Sequence, residues 1–242
     1  MTYGEYTTMN FRSLVSTTAW HDLIGRGRRK IYGSKSVILA QGESPDCVIV
    51  LVDGLVKVAQ SDEHGNNRTL MLRGPGEVLG EMGVLLGRPR SVTVTAARRC
   101  TAAALTAQAF RSYVDEHRLR DAAYRLAVER LTTCERLQSD LRHLTPTGRI
   151  ARVVSALADE VGHPQGQGYL LVDLGMDRTE LAGMASMSRS SALAALGRLQ
   201  SVGIIRLARQ RLTITDPDRL RAVAQGEQFP EQLGGKAGAP LM

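Results

Sequence analysis

Short apolar runs alternate with polar, glycine-marked breaks between Ser36 and Ala96. The runs VILA, CVIVLV, LVKVAQ, RTLMLR and SVTVTA are separated by QGESPD, DG, SDEHGNN, GPGE and GRP. Each run is too short for a helix and rich in β-branched residues, so strands joined by tight turns are expected. Evenly spaced strands of this kind predict a small barrel or roll. Ahead of them, residues 1–20 read as a polar extension leading into a short helix around Trp20 to Ile24.

Near Thr106 the period lengthens. Residues 106–143 contain neither Gly nor Pro, and Tyr124, Ala127, Leu131, Cys134, Gln138 and Leu141 recur at alternating steps of three and four. That spacing is the seam of a coiled coil. Leu119, Leu126, Leu137 and Leu144 mark a second stripe suited to cover the roll. A helix with two apolar faces must bury both, which two copies of the chain side by side would do. One long core helix of a monomer also fits the pattern.

Pro146 interrupts that helix, and a further helical run covers Thr147–Val161. The loop GHPQGQG (162–168) follows, then a strand, YLLVDL. In DRTELAGMASMSRSSALAALGRL (177–199), Asp177 and Glu180 have the spacing of a capping box. Leu181, Met184 and Ala185 give this first helix an inner face, and Ala182 and Gly183 permit close crossing by a second. Ser188 caps that second helix, whose inner face reads as Leu193, Leu196 and Leu199. Gly203 stops it, and IIRLARQRLTIT folds back around Arg209–Gln210 as two short strands. Helix, turn, helix and β-wing is the plan of a winged helix-turn-helix, whose second helix enters the major groove of DNA. A small αβ packing module with solvated arginines shares the same pattern.

Charge favours the first of these. Five arginines (189, 198, 206, 209 and 211) and no acid lie between Ser188 and Arg211. Of these, Arg189, Arg206, Arg209 and Arg211 would, with Arg178, flank a groove and meet phosphates. The chain of 242 residues is basic overall, at +7. No apolar run nears the roughly 18 residues of a membrane span. The start MTYGEYTTMNFRSLV lacks the layout of a secretory signal, so a cytoplasmic protein with no membrane association is expected. Cys47, Cys100 and Cys134 are far apart and odd in number, which gives no disulfide framework and no zinc or iron–sulfur spacing. Neither a metal nor a cofactor is expected. Without a Walker loop, an HExxH run or a nucleophile–base pair, no enzyme is expected either. The stretch 223–242, rich in Gly, Gln and Pro, reads as a disordered tail.

One segment remains, GEMGVLLGRPRSVTVTA (80–96), in which Glu81 follows a glycine and Arg90 precedes Ser91. By residue type alone it fits a plain β-turn with a surface arginine as well as an anion site. It belongs, however, to an ordered series: QGE (41–43), LVDGLVKV (51–58), GPGEVLGEMG (74–83), RPRSVTV (88–94), the long helix, TGRIA (147–151) and Ser188–Arg189. That series resembles the cyclic-AMP receptor protein / FNR superfamily of bacterial transcription regulators over roughly residues 20–216.

The resemblance implies an α+β protein. A jelly-roll-like cyclic-nucleotide-binding β-roll would span 21–110, a dimerisation helix 111–145 and a winged helix-turn-helix 146–222. It further implies that Arg90 takes a cyclic phosphate, Glu81 the ribose 2′-hydroxyl and Ser91 a phosphate oxygen, with Gly80, Met82 and Val92 beside them. The chemistry agrees: a buried anion needs a paired cation, a guanidinium fork suits phosphate, and an ionised carboxylate only accepts.

Two departures stand out. The Thr-Ser pair that meets adenine in cyclic-AMP receptors falls here on Cys134 and Glu135. Glu135 could accept two hydrogen bonds from a guanine edge, or be a solvated helix-flank glutamate. The receptors' Arg-Glu-x-x-x-Arg recognition pattern is reduced to Arg189 followed by Ser190 and Ser191, which implies a different or shorter consensus and a large phosphate share of the binding.

The function implied is that of a homodimeric regulator of transcription, modulated by a cyclic nucleotide, cyclic AMP ahead of cyclic GMP. It would contact double-stranded DNA through Thr147, Arg178, Ser188, Arg189, Ser190, Ser191, Arg209 and Arg211, and RNA polymerase through the GHPQGQG loop. Two alternatives are a family member that regulates transcription without a cyclic nucleotide, and a nucleotide-binding interaction protein acting through protein partners.

Overall fold

Residues 9–227 are described by the structure, a computed structural model of the chain. Eight strands among them build the roll from two antiparallel four-stranded sheets. The first sheet runs β1 (Arg28–Tyr32), β8 (Cys100–Thr106), β3 (Cys47–Asp53), β6 (Val78–Leu79). The second runs β2 (Val37–Leu39), β7 (Thr93–Ala96), β4 (Val56–Ser61), β5 (Asn67–Arg73). Successive side chains on a strand face opposite ways, and β3 is apolar on both sides because both sides are covered. Val48 and Val50 cluster with Phe110, Tyr113 and Leu126 from the helices, while Ile49 and Leu51 cluster with Leu39, Val56 and Val94 inside the roll. The chain passes from β3 in the first sheet to β4 in the second by a turn at Gly54, with φ +105°; a Cβ there would stand 2.5 Å from the Arg99 carbonyl oxygen. Only glycine closes that turn.

Three roll strands lie outside the five runs read from sequence, and one of them, β6, has only two residues. RRKIY in β1 is an edge strand exposed over four of its five positions, so it shows no apolar alternation. CTAAALT in β8 has alanine, a weak strand former, at its three central positions and succeeds here by sitting between β1 and β3. The N-terminal extension is likewise more than a polar lead. Phe11, in a 3₁₀ turn, is fully buried and packs near Phe110, and α1 (Thr17–Gly25) buries Trp20 and Leu23.

The helix expected over 106–143 is broken. A helix, α3 (Ala107–Glu116), is preceded by α2 (Glu81–Leu86) and followed by α4 (Arg120–His143). Between α3 and α4, Arg118 takes a left-handed φ of +53° without being glycine. That costs on the order of 1 kcal/mol. It is offset by burial on both sides of the break, of Phe110, Tyr113 and Val114 before it and Ala123 and Leu126 after it.

Along α4, Ala123, Leu126, Leu137 and Leu141 are buried within the chain. Leu141 was expected on the outer seam; it lies inward at 3% exposure. The outward apolar positions are Val128 and Leu131, at 62% and 60%. No helix among the described residues is long and apolar enough to cross a membrane.

The C-terminal part starts with α5 (Pro146–Val161), capped by the Thr145 side chain, with proline at the helix start where its missing N–H is harmless. The GHPQGQG segment, expected as a loop, supplies β9 (Gly162–Gln165), paired with β10 (Tyr169–Asp173). Then come α6 (Arg178–Met184), α7 (Arg189–Ser201), β11 (Ile205–Leu207), β12 (Arg211–Ile214) and α8 (Pro217–Ala224). The four strands form one sheet ordered β11, β12, β10, β9. Val223 and Ala224, assigned from sequence to the tail, are buried in α8, and the tail beyond residue 227 lies outside the described residues.

Roll and C-terminal part share a core. Leu55, Met71 and Leu72 of the roll belong to the same apolar cluster as Leu157, Leu174 and Leu181. Ion pairs Lys57–Glu180 and Arg98–Asp173 cross the same boundary.

Candidate ligand cavity and nucleic-acid interface

A cavity of about 800 Å³ lies between the second sheet, α2 and α4. Gly80, Glu81, Met82, Arg90, Ser91, Val92, Cys134 and Glu135, all singled out from sequence, line it together. Arg90 is 6% exposed. Its Nη2 donates to the Cys47 carbonyl oxygen at 2.8 Å and lies 3.4 Å from a carboxylate oxygen of exposed Asp46. Its Nη1 is buried with no hydrogen-bond partner. Glycine at 80 makes this placement possible: φ is +82°, and a Cβ would stand 2.3 Å from Arg90 Nη1. A buried guanidinium nitrogen without a partner costs free energy unless an acceptor arrives. An anionic oxygen from a ligand fits that need.

Glu81, at the start of α2, is 6% exposed and is held from α4. Arg130 Nη1 donates to Glu81 Oε1 at 2.6 Å, and Arg130 Nη2 donates to Glu77 Oε2. One carboxylate oxygen of Glu81 is thereby occupied, and the acceptor capacity of the other suits a sugar hydroxyl.

Arg130 was not singled out from sequence. It is one of several arginines on α4, and only its place on the inward stripe with Leu126 and Leu137 distinguishes it. Beyond it, Glu77 lies 3.7 Å from Arg73 Nε, and Arg73 Nη1 pairs with Glu160 of α5. Burial pushes the Glu77 carboxyl up to about 7 even though Arg130 and Arg73 favour its ionised form. Burial works against the charge on Arg73 but is outweighed by Glu160 and Glu77, which hold its pKa above the ordinary value.

The far end of the cavity is less enclosed. Cys134 is half-buried and its thiol is pushed up mainly by that burial, while Glu135 is exposed at the rim. Arg68 donates to the Gln138 side chain beside them. Among the described residues no group of three or more His, Cys, Asp or Glu could hold a metal ion.

At the other end of the molecule, the helix-turn-helix forms with the caps its sequence predicts. Asp177 accepts from the Thr179 and Glu180 amides, and Glu180 accepts from the Asp177 amide at 3.0 Å. Ser188 accepts from the Ser191 amide at 3.2 Å. On α7, Ala192, Ala195, Leu196 and Leu199 face inward. Leu193 was expected there; it is 44% exposed, because the inward stripe follows the i, i+3, i+4, i+7 positions from Ala192 and leaves Leu193 on its flank.

Arg189 and Ser190 stand exposed at the start of α7, with Ser191 half-buried beside them, and Arg209 is exposed in the wing turn. Arg211 is exposed and 3.7 Å from Asp173. Arg178 departs from a free phosphate reader: it is half-buried and donates to the Ala208 carbonyl oxygen at 2.8 Å, bracing the wing against α6. Thr147 departs further. At 4% exposure it is packed inside, in the first turn of α5, and presents no surface to DNA in this arrangement.

Two family models match the chain: a cyclic nucleotide-binding domain over residues 29–117 and a Crp-like helix-turn-helix domain over residues 148–223. A CRP-like cAMP-activated global transcriptional regulator of Mycobacterium tuberculosis is 27% identical over 184 residues, covering 76% of this chain and 82% of that protein. The cAMP-activated global transcriptional regulator CRP of Escherichia coli O6:H1 is 29% identical over 181 residues, covering 72% of this chain and 83% of that protein. Among solved structures, a CRP-family transcriptional regulator of Thermus thermophilus is similar, with a TM-score of 0.65 and 26% identity over 81% of this chain and 96% of that one.

Proposed function

From the premise that this chain belongs to the cyclic-AMP receptor protein / FNR superfamily of transcription regulators, with a cyclic-nucleotide-binding domain and a DNA-binding helix-turn-helix, we propose that it is a homodimeric regulator that binds cyclic AMP in the roll. The observation that carries the choice of an anionic ligand is the buried, unpartnered Nη1 of Arg90, held against Gly80 at the cavity wall. In this reading the cyclic phosphate meets Arg90 and Ser91, and the ribose hydroxyl meets Glu81, oriented by Arg130. Gly80, Met82 and Val92 enclose the sugar–phosphate, and Cys134 and Glu135 face the base. A cyclic phosphodiester carries one negative charge, which the buried Arg90 guanidinium would meet by a charge-assisted hydrogen bond.

The dimer is supported by Val128 and Leu131, two large apolar side chains three residues apart and mostly exposed on α4. Apolar residues at that spacing pack as a helix–helix seam. Two-fold symmetry would place the two α7 helices in successive major grooves, roughly 34 Å apart. In each, Arg189, Ser190 and Ser191 would face base edges with Ser188 at the helix cap. Arg209 and Arg211 would meet phosphates, while Arg178 would act by holding the wing. The exposed turn after β9 is offered as the surface for RNA polymerase.

Calorimetry with cyclic AMP and cyclic GMP, run with light scattering and a gel shift on random and selected DNA, tests the whole reading. A single dimeric species that binds cyclic AMP at least tenfold better than cyclic GMP, about 1.4 kcal/mol, and shifts DNA more strongly with nucleotide is expected. Binding of neither nucleotide by a protein that still shifts DNA would replace it with ligand-independent regulation. Nucleotide binding with no shift at low salt would point to action through protein partners.

A further inference from the structure

Three carboxylates and two guanidiniums alternate in a row that leaves the cavity wall and ends on α5: Glu81, Arg130, Glu77, Arg73, Glu160. The side chains of Glu77, Glu81 and Glu160 are 2%, 8% and 7% exposed, and that of Arg73 is 10% exposed. Four parts of the fold contribute: Glu77 and Glu81 flank β6, Arg130 comes from α4, Arg73 ends β5, and Glu160 lies in the last turn of α5. Arg73 lines the ligand cavity, whereas Glu77 and Glu160 line a separate cleft of about 580 Å³ between the roll and the C-terminal part. The row therefore joins two spaces, one for a ligand and one between domains.

We propose that the Arg73–Glu160 pair is the contact through which occupancy of the cavity sets the pose of α5 and the reading head behind it. The proposal rests on the reading of the cavity as a nucleotide site. Its physical basis is the unbroken run of buried contacts, in which each guanidinium is shared by two carboxylates. Acids outnumber bases three to two along the row, and Glu77 Oε1 is buried without a hydrogen-bond partner. Arg90, also buried, adds a positive charge on the cavity wall shared by Glu81 and Arg130, its own ion partner being the exposed Asp46.

A phosphate seated on Arg90 cancels that charge, and a hydroxyl on Glu81 competes with Arg130. Either event redistributes Arg130 and Arg73 among the three carboxylates, because in a dry environment each charge feels its neighbour strongly. The last carboxylate in the row sits on the helix that opens the reading head. The apolar contacts of Leu55, Met71 and Leu72 hold the domains together but are indifferent to charge in the cavity. Glu160 is thus a positioning residue: it touches no ligand and acts through Arg73.

The test compares wild type with Glu160→Gln, which removes the charge but keeps an acceptor for Arg73, and with Glu160→Asp, which keeps the charge. Calorimetry gives the cyclic AMP Kd, and fluorescence anisotropy gives the DNA Kd with and without saturating nucleotide. Glu160→Gln is expected to bind cyclic AMP within roughly threefold of wild type while its DNA Kd ratio without and with nucleotide collapses to within about twofold of one. Glu160→Asp is expected to keep the wild-type ratio.

A wild-type ratio in folded Glu160→Gln overturns the proposal. A second arm needs no nucleotide: Glu81→Gln is expected to change amide exchange across α5 in the wild-type background and to leave it unchanged in the Glu160→Gln background. Equal changes in both backgrounds overturn the proposal as well. If wild type takes up neither cyclic nucleotide, the first arm rejects the cavity reading and the second still decides the row.

Discussion

In the proposed reading Arg90 and Arg189 both meet nucleotides, yet they are prepared in opposite ways. Arg90 is 6% exposed, anchored to the Cys47 carbonyl and pressed against a glycine that leaves no room for a Cβ. Arg189 stands in solvent at the first turn of α7, its helix fixed by the Ser188 cap but its own side chain free to move. The first has been stripped of water during folding and waits with one nitrogen unsatisfied; the second keeps its water until DNA arrives. Burial makes a single residue decisive at the input site, whereas the output site works by the sum of several weak, screened contacts.

The largest effect that separates the two regions should be on folding itself. Arg130→Ala leaves Glu77 and Glu81 buried with a lost partner, and chemical denaturation should register a loss of about 3–5 kcal/mol. Arg90→Ala should remove about 2–5 kcal/mol of cyclic AMP affinity in calorimetry while lowering stability far less than Arg130→Ala. Similar stability losses in the two variants would erase the distinction between the ligand-facing and the structural arginine.

A third effect appears with pH. The Glu77 carboxyl titrates near 7 in the folded chain against an ordinary 4.5, so folding takes up a proton there in between. Its contribution is fully present below about pH 4.5 and is lost as pH rises through about 7, an effect of about 3 kcal/mol. Denaturation curves of wild type and Glu77→Gln should therefore diverge across that window, with the wild type losing more stability as pH rises.

Effects at the reading head should be smaller. Arg189→Ala should cost about 1–3 kcal/mol on a selected operator and relax preference at one base position. Arg209→Ala should weaken all sequences alike by less than about 1 kcal/mol and reduce the salt slope by about one. A sequence-specific loss at Arg209, or a uniform one at Arg189, would reverse the roles assigned to wing and helix.

What could be read from sequence follows from what each residue type is forced to do. Gly54 was visible as part of the DG break because tight turns favour glycine, and the caps Asp177 and Ser188 because orphan amides demand an acceptor. The β-branched runs of β3, β4 and β7 announced themselves by pattern. The break at Arg118 did not, since an arginine adopts that conformation only where packing on both flanks compensates for it. The cavity's sequence-local half, 80–92, was legible as a block. Of its α4 half, Cys134 and Glu135 were reached through the family resemblance but Arg130 was not: among many helix arginines, its inward place depends on how α4 docks, which no local pattern encodes. Exposed Leu193 and buried Thr147 illustrate the same limit, because helix rotation and inter-helix distance decide them.

The leucines and methionine that the roll lends to the C-terminal core bear on how the chain can be taken apart. Cut after residue 145, the sensor half would lose the cover over Leu55, Met71 and Leu72 and present a greasy scar to solvent. Such a fragment would be prone to clump unless those three positions were made polar, and heating the intact chain should give one melting event rather than two.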